Sequence, residues 1–265
     1  MEIVSYHEAF KQIDNELHYQ CVKGVVRIDG LLYLAEWHDR LQLPTETSEL
    51  RSIQKIYTED RGPLIKPAWT VTTPEQHHYV KTPSIHSFYD VSDLEGLITR
   101  EIETCELLKL HPHPNISPYY GCTELRGRVS GLCFKKHRQT LLENLNPQGL
   151  NKAMFLDSEH RRLSVDHSLK EATYKLREAI EHLHSLGIIH NDINPANIMF
   201  DEDGALVLID FDSCQRRGEP LGNTKRTYGW HDPKVTVATE QNDLNAFTEL
   251  QTWLFGTSAG SYLFP

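Results

Sequence analysis

Two short apolar runs that end in polar residues constrain this chain more than any other feature. Residues 187–214 read GIIHNDINPANIMFDEDGALVLIDFDSC. The apolar pieces predict short strands, and the Asp-Glu-Asp-Gly stretch between them predicts a turn. Asp192, Asn197 and Asp210 lie at the strand ends. Because buried carboxylates without a partner are costly, we interpret these side chains as ligands of a cation.

Composition narrows the class of protein. The 265 residues carry a formal net charge of −10, which argues against a general nucleic-acid binder. Five cysteines without a C-x-x-C pair disfavour a disulfide or zinc framework and favour a reducing compartment. The sequence shows no signal-peptide pattern and no run of membrane-spanning length. We therefore expect a soluble cytoplasmic protein, with the nucleus also open, that binds neither nucleic acid nor membrane.

The rest of the chain is predicted to alternate strands and helices. The predicted elements are a strand-like stretch at 24–37, a short strand at 77–85 that carries Lys81, a helix between a capping box at Ser92 and His111, a buried strand at 129–134, and a helix at about 168–185. No internal repeat interrupts this order.

This order of motifs resembles a eukaryotic-type protein kinase domain over roughly residues 65–255. It is most similar to compact fungal kinase-like proteins with H-N-D-I-N-P-x-N and I-D-F-D-S. The residues that carry the resemblance are His190-Asn191-Asp192 in place of H-R-D, Asn197, Asp210-Phe211-Asp212 in place of D-F-G, Lys81 on its strand, Glu101 on the C helix, Thr227-Tyr228-Gly229-Trp230 with Pro233, and Asp243 in N-D-L-N-A-F.

The resemblance implies an α+β protein with a two-lobed protein kinase-like fold. Its N-lobe would be small and β-rich with a C helix, and its mainly helical C-lobe would be truncated after the F helix. We expect residues 1–65 to form an N-terminal extension or extra N-lobe strands. Residues 66–137 would form the kinase-like N-lobe, and residues 138–265 the C-lobe.

The resemblance also implies ATP and Mg²⁺ as cofactors. Asp210 and Asn197 would hold the metal, because hard oxygen ligands suit a hard cation. Lys81 would contact the α and β phosphates, and Glu101 would fix its ammonium group. Asp192 would accept or orient the proton of the attacking hydroxyl. The predicted catalytic residues are therefore Asp192, Lys81 and Glu101.

Two further assignments follow from the same resemblance. Glu103 is a rival partner for Lys81, but helix phase favours Glu101, which precedes Ile102 on the apolar stripe. The adenine is expected against a hinge between the lobes. We predict that hinge at Phe134, Lys135, Lys136 and His137, where an apolar strand gives way to polar residues.

Several positions depart from the kinase pattern. No G-x-G-x-x-G precedes Lys81, and the only nearby glycine is Gly62. The arginine of H-R-D is replaced by Asn191, and the lysine two residues after the catalytic aspartate is replaced by Asn194. Asp212 stands in place of the D-F-G glycine and adds a carboxylate. These departures predict weak or absent catalysis.

Three functions remain open. The first is an ATP- and Mg²⁺-dependent phosphotransferase that phosphorylates Ser/Thr of a protein substrate. The second is a small-molecule kinase of the aminoglycoside and choline kind, which also shows H-x-D-x-x-x-x-N and an acidic residue after I-D-F/W. The third is an ATP-binding pseudokinase that acts as an interaction module. The HPHPNISPYYGC run and the T-Y-G-W-x-x-P element favour the first over the second, and the missing glycine loop favours the third.

Overall fold

The chain divides into two units. A computed structural model describes residues 1–13, 16–56, 62–83, 93–222 and 224–264. One unit comprises Met1–Pro63 and Thr82–Glu95, and the other comprises Leu64–Lys81 and Gly96–Pro265. Both predicted lobes fall mainly in the second unit, and the predicted borders at residues 65 and 137 stay predictions.

The first unit contains a four-stranded antiparallel meander. Its strands, β1 (Glu2–Ile13), β2 (Glu16–Ile28), β3 (Leu31–Trp37) and β4 (Arg51–Lys55), pair in that order. The prediction of one strand-like stretch over 24–37 is wrong, because Asp29 and Gly30 turn the chain between β2 and β3. Both residues have positive φ (50° and 79°), as a tight hairpin turn requires. The sheet buries Val22, Val26, Ala35, Trp37 and Leu50 on one another.

The second unit begins with a three-stranded antiparallel sheet and one long helix. The strands β5 (His78–Lys81), β6 (Tyr119–Leu125) and β7 (Arg128–Lys135) lie in the order β5-β7-β6. The helix α1 (Leu94–Leu110) carries Glu101. The predicted buried strand at 129–134 is confirmed as part of β7. The predicted strand at 77–85 is shorter in the structure, and residues 84–92, including the Ser92 capping position, lie outside the described residues.

A mainly helical region follows. Its longest helix confirms the prediction for residues 168–185, and the Asp166 side chain caps it by accepting from the Leu169 N–H at 2.9 Å. The elements are α2 (Leu141–Leu145), α3 (Lys152–Leu156), α4 (Glu159–Ser164), α5 (His167–Ser185), β8 (Ile188–Ile189), β9 (Ile198–Phe200), β10 (Leu206–Leu208), β11 (Gln215–Arg216) and α6 (Glu240–Phe255). No helix in the described ranges is long and apolar enough to cross a membrane.

A partly buried lysine links the end of residues 210–233, which we call the activation segment, to the helical region. Lys152 on α3 forms an ion pair with the fully buried Glu249 of α6 and donates to the Gly229 carbonyl. The ring of Trp230 lies 4.8 Å from the same ammonium. The end of the activation segment is therefore anchored to the helical region.

Candidate active site

Lys81 lies at the centre of a cluster of carboxylates. Its Nζ donates to Glu101 Oε1 at 2.6 Å and to Asp210 Oδ1. A third carboxylate, that of Asp212, lies 3.5 Å away. Strand β5, helix α1 and the start of the activation segment thus meet at one ammonium group. The structure brings together the three residues that the sequence assigned to the nucleotide side of the site.

Burial and charge compete in this cluster. Burial disfavours the ammonium of Lys81, but Glu101, Asp210 and Asp212 outweigh it and raise its pKa above the usual range. Burial raises the pKa of Glu101 to about 7, although the charge of Lys81 acts in the opposite direction. Burial would also raise the pKa of Asp210, but the charge and hydrogen bond of Lys81 prevail and lower it. Charge therefore prevails over burial at Lys81 and Asp210, whereas burial prevails at Glu101.

The rival partner from the sequence, Glu103, lies elsewhere. Its carboxylate pairs with Lys66 at 2.9 Å, and both side chains are about half exposed. Glu101, by contrast, is 6% exposed. The structure therefore places Lys81 against Glu101 and leaves Glu103 on the surface.

A cavity of about 420 Å³ lies beside this cluster. Lys81, Asn197 and Asp210 line it together with residues 134–137, which are the four predicted hinge residues. The Lys135 N–H donates to the Pro118 carbonyl and the Lys136 N–H to the His77 carbonyl, at 3.0 and 3.1 Å. In the part of the chain that the structure describes, the N–H of His137 has no acceptor. The predicted hinge residues therefore line a cavity, and the backbone N–H of His137 is a possible hydrogen-bond donor to a ligand there.

Two oxygen-bearing side chains that line the cavity, those of Asp210 and Asn197, fit a magnesium ion. Asp210 offers a carboxylate, and Asn197 uses its Nδ2 to donate to the Asp192 carbonyl and to Asp192 Oδ2, at 3.0 and 2.9 Å. The Asn197 side-chain oxygen is thereby turned away from those bonds. One carboxylate and one amide oxygen are hard ligands of the kind that Mg²⁺ prefers.

Asp192 is held by uncharged donors. The Thr227 N–H donates to Asp192 Oδ1 at 2.7 Å, and the Thr227 hydroxyl donates to Oδ2 at 3.1 Å. Asn194 Nδ2 in turn donates to Thr227 Oγ1 at 3.1 Å. The T-Y-G-W motif marked Thr227 only as the end of the activation segment. Its contact with Asp192, 35 residues away in sequence, was not predicted.

Asp243 of α6 fixes the loop that carries Asp192. This fully buried carboxylate accepts from the backbone N–H groups of His190 and Asn191, at 2.8 and 2.7 Å, and pairs with His184 Nε2 at 2.8 Å. Asp243, which the sequence matched to the kinase pattern in N-D-L-N-A-F, is therefore a buried residue that supports this loop. His190 Nε2 lies at hydrogen-bond distance, 3.2 Å, from the Ile209 carbonyl, so both histidines make polar contacts within the fold.

The described residues 62–77, which lead into β5, contain no hairpin that could serve as a glycine-rich loop. Residues 62–77 form isolated bridges from Leu64 to Arg128 and from Val71 to Cys122, and contain no paired strands. The structure thus agrees with the missing glycine motif.

A separate group of potential metal ligands lies on the turn before β5. Glu75, His77 and His78 bring their ligand atoms within 4.8 Å of one another. His78 Nδ1 already accepts from the Glu75 N–H at 3.1 Å, and its ring stacks on Tyr120 at 4.3 Å. These contacts explain the geometry of the turn without a metal.

Comparison with known proteins decides the family. The sequence model of the protein kinase domain matches residues 77–256, which is more than half of the chain. The chain belongs to the protein kinase domain family. The predictions of a eukaryotic-type protein kinase-like domain and of a two-lobed α+β kinase fold are therefore confirmed.

The kinase domain has relatives among fungal enzymes. The match to serine/threonine-protein kinase SSK22 of Saccharomyces cerevisiae is 30% identical and covers 51% of this chain. The match to MAP kinase kinase kinase win1 of Schizosaccharomyces pombe is 30% identical and covers 42% of this chain. These matches cover 9% and 7% of the relatives, so the chain spans less than a tenth of their length. The yeast RNA Pol II CTD kinase CTDK-1 complex is similar at 21% identity, with a TM-score of 0.49, over 64% of this chain and 53% of that one.

Proposed function

We propose that this kinase domain transfers the terminal phosphoryl group of ATP to a serine or threonine hydroxyl of a protein, with Mg²⁺. The observation that carries the proposal is the double contact of Lys81 with Glu101 and Asp210 beside the hinge cavity. In that arrangement a fixed cation lies next to the carboxylate that would bind the metal. Phosphoryl transfer depends mostly on such positioning and charge neutralisation.

The nucleotide side of the site binds and orients the phosphates. Lys81 would contact the α and β phosphates, with Glu101 holding its ammonium in place. Asp210 and the Asn197 oxygen would hold Mg²⁺, which when bound supplies positive charge to the phosphate oxygens. The base would lie against residues 134–137, where the His137 N–H is a candidate donor.

The acceptor side positions the hydroxyl. Asp192 would accept or orient the proton of the attacking hydroxyl. The bond from the acceptor oxygen to the terminal phosphorus forms while the bond from that phosphorus to the bridging oxygen breaks. ADP leaves with the electron pair of the broken bond. Thr227 and Asn197 fix the Asp192 carboxylate for this step.

The relatives support a protein acceptor. SSK22 is named a serine/threonine-protein kinase, and win1 a MAP kinase kinase kinase. The match to the protein kinase family also favours a protein acceptor over the small-molecule alternative.

The test is transfer of labelled phosphate from ATP by the purified chain. The assay should include autophosphorylation, a generic protein acceptor and ATP hydrolysis, with and without Mg²⁺. We expect Mg²⁺-dependent transfer that Lys81→Met abolishes. Lys66→Met is the matched control, because Lys66 is a half-exposed lysine that pairs with Glu103. Equal transfer by wild type and Lys81→Met would contradict the proposal.

A second candidate is an ATP-binding pseudokinase. The absence of paired strands over residues 62–77 favours it, because no hairpin there covers the phosphates. ATP binding that needs Lys81 and Asp210, together with no transfer in any of the three assays, would support this candidate instead.

A further inference from the structure

The end of the candidate site around Lys81 and Asp192 is rich in carboxylates. Glu101, Asp192, Asp210 and Asp212 bring four carboxylates, and Lys81 lies among three of them. A nucleoside triphosphate adds further negative charge. Position 194, two residues after Asp192, carries a neutral amide here. A second cation near the terminal phosphate would therefore assist both binding and transfer.

The activation segment supplies a cation at this place. Lys225 Nζ lies 4.0 Å from Asp210 Oδ2, on the other oxygen from the one that Lys81 contacts. Its side chain is 72% exposed, whereas that of Lys81 is 23% exposed. Lys81 is thus the less exposed cation beside Asp210, and Lys225 is the more exposed one.

The backbone around Lys225 is anchored on both sides. Its carbonyl accepts from Ser213 Oγ at 2.6 Å. The Arg226 guanidinium donates to the Val235 carbonyl at 3.2 Å, and the Thr227 N–H donates to Asp192. The segment therefore holds the base of the Lys225 side chain near both catalytic aspartates.

The Lys225 ammonium itself remains free to move. A 4.0 Å separation is too long for a hydrogen bond, and an exposed ion pair contributes little. Exchanging the contact with Asp210 for a phosphate oxygen therefore costs little. Arg226 has no such freedom, since its guanidinium is committed to backbone carbonyls.

We propose that Lys225 contacts the terminal phosphate of a bound nucleoside triphosphate and provides the positive charge that Asn194 does not. The inference rests on the proposed function for its catalytic part, because it assigns Lys225 as a catalytic residue of phosphoryl transfer. Its binding part stands apart from transfer: Lys225 makes the site prefer a triphosphate to a diphosphate. The charge assists transfer while the bond to the bridging oxygen breaks, and Lys225 exchanges no proton.

The experiment compares ATP and ADP affinities with Mg²⁺ present. In Lys225→Met, the affinity for ATP should fall about tenfold while the affinity for ADP stays unchanged, because ADP lacks the terminal phosphate. Turnover, where wild type shows it, should fall by about tenfold or more. Lys225→Arg should keep most of the preference for ATP. Lys234→Met is the matched control, since Lys234 is an exposed lysine farther along the chain that, among the described residues, forms no ion pair with Asp210.

Each outcome of these measurements either supports or overturns the contact between Lys225 and the terminal phosphate. An unchanged ratio of ATP to ADP affinity in Lys225→Met overturns the proposal, even when the wild type transfers phosphate. A fall of the ratio in Lys234→Met as large as in Lys225→Met also overturns it, as does a Lys225→Arg variant that behaves like Lys225→Met. A ratio that falls only in Lys225→Met supports the contact, and if no transfer occurs, the proposed function fails while this contact stands.

Discussion

Asp192 and Asp210 are both predicted catalytic-site aspartates, but the protein holds them in different ways. Charged groups hold Asp210, since Lys81 donates to it and Lys225 lies 4.0 Å away. Neutral groups hold Asp192, through the N–H and hydroxyl of Thr227 and the amide of Asn197. The proposed nucleotide side is therefore held by ion pairs, and the proposed acceptor side by hydrogen bonds.

This difference has a physical consequence. Ion pairs in a buried cluster respond to changes of charge and pH, because each carboxylate is stabilised by the same ammonium. Hydrogen bonds between neutral donors and a carboxylate respond mainly to the shape and placement of the donors. Substitutions on the two sides should thus separate nucleotide binding from transfer.

The largest effect is expected from Asp210→Ala. The change removes the proposed metal ligand and one of the carboxylates that contact Lys81, so the Mg²⁺-dependent part of ATP binding should vanish and transfer should fall by about a thousandfold or more. ATP titrations with and without Mg²⁺ measure the effect. Asp203→Ala is the control, because Asp203 is exposed on the β9–β10 turn. An unchanged Mg²⁺ dependence in Asp210→Ala would show that the metal assignment is wrong.

Asp192→Asn should affect transfer alone. The amide keeps the shape of the side chain but deletes the carboxylate, so turnover should fall by about a hundredfold, the scale of a positioned acid–base group. ATP affinity should stay close to that of the wild type. Parallel binding and turnover measurements test this. If ATP affinity falls as much as turnover does, the separation of the two aspartates fails.

The sequence predicted the parts of the site that depend on local pattern. The order from Lys81 to Asp210 places strand, helix and loop residues that the structure brings together around one cavity. The long helix α5 was predicted from its apolar stripe, and the strand β7 from a short apolar run whose last four residues, 131–134, are all buried.

Contacts between distant segments were not predicted. Thr227 contacts Asp192, which lies 35 residues earlier in the sequence. Lys225 lies near Asp210, and hydrogen bonds from Ser213 to the Lys225 carbonyl and from Thr227 to Asp192 fix the backbone around it. The spacing of apolar residues along the sequence carries no information about such contacts. The hairpin at Asp29 was missed for another reason: the Asp-Gly pair was a turn signal in the sequence, and the surrounding apolar residues hid it.

The Glu101 carboxyl in the cluster around Lys81 predicts a dependence of stability on pH. The pKa of Glu101 is about 7 in the folded chain against the usual 4.5, so this carboxyl contributes its stabilisation fully below pH 4.5 and loses it as the pH rises towards 7. Between pH 4.5 and 7, the wild type should lose on the order of 2–3 kcal/mol relative to Glu101→Gln. Denaturant unfolding at several pH values measures this difference.

The surface glutamate on the same helix is the control for that experiment. Glu103→Gln changes a half-exposed carboxylate, and its difference from the wild type should stay nearly constant over the same pH range. A constant difference for Glu101→Gln as well, or one that changes in the opposite direction, would show that burial does not govern the Glu101 carboxyl.

The smallest effect is expected on the neutral side, from Thr227→Val. Valine keeps the N–H bond to Asp192 Oδ1 and the volume of the side chain, but it removes the hydroxyl that bonds Oδ2 and accepts from Asn194. The loss of a neutral donor costs about 0.5–1.5 kcal/mol, so turnover should fall by roughly three- to tenfold with ATP affinity unchanged.

Thr224→Val is the matched control for that change, because the Thr224 hydroxyl contacts Gln215 and the Leu221 carbonyl and does not contact Asp192. The effect of Thr227→Val should also be independent of salt concentration, since it removes no ion pair, whereas the effect of Lys225→Met should weaken as salt screens its exposed charge. A salt-dependent defect in Thr227→Val, or a loss of ATP affinity, would mean that the acceptor side is coupled to the charged cluster. The two aspartates would then belong to one electrostatic unit.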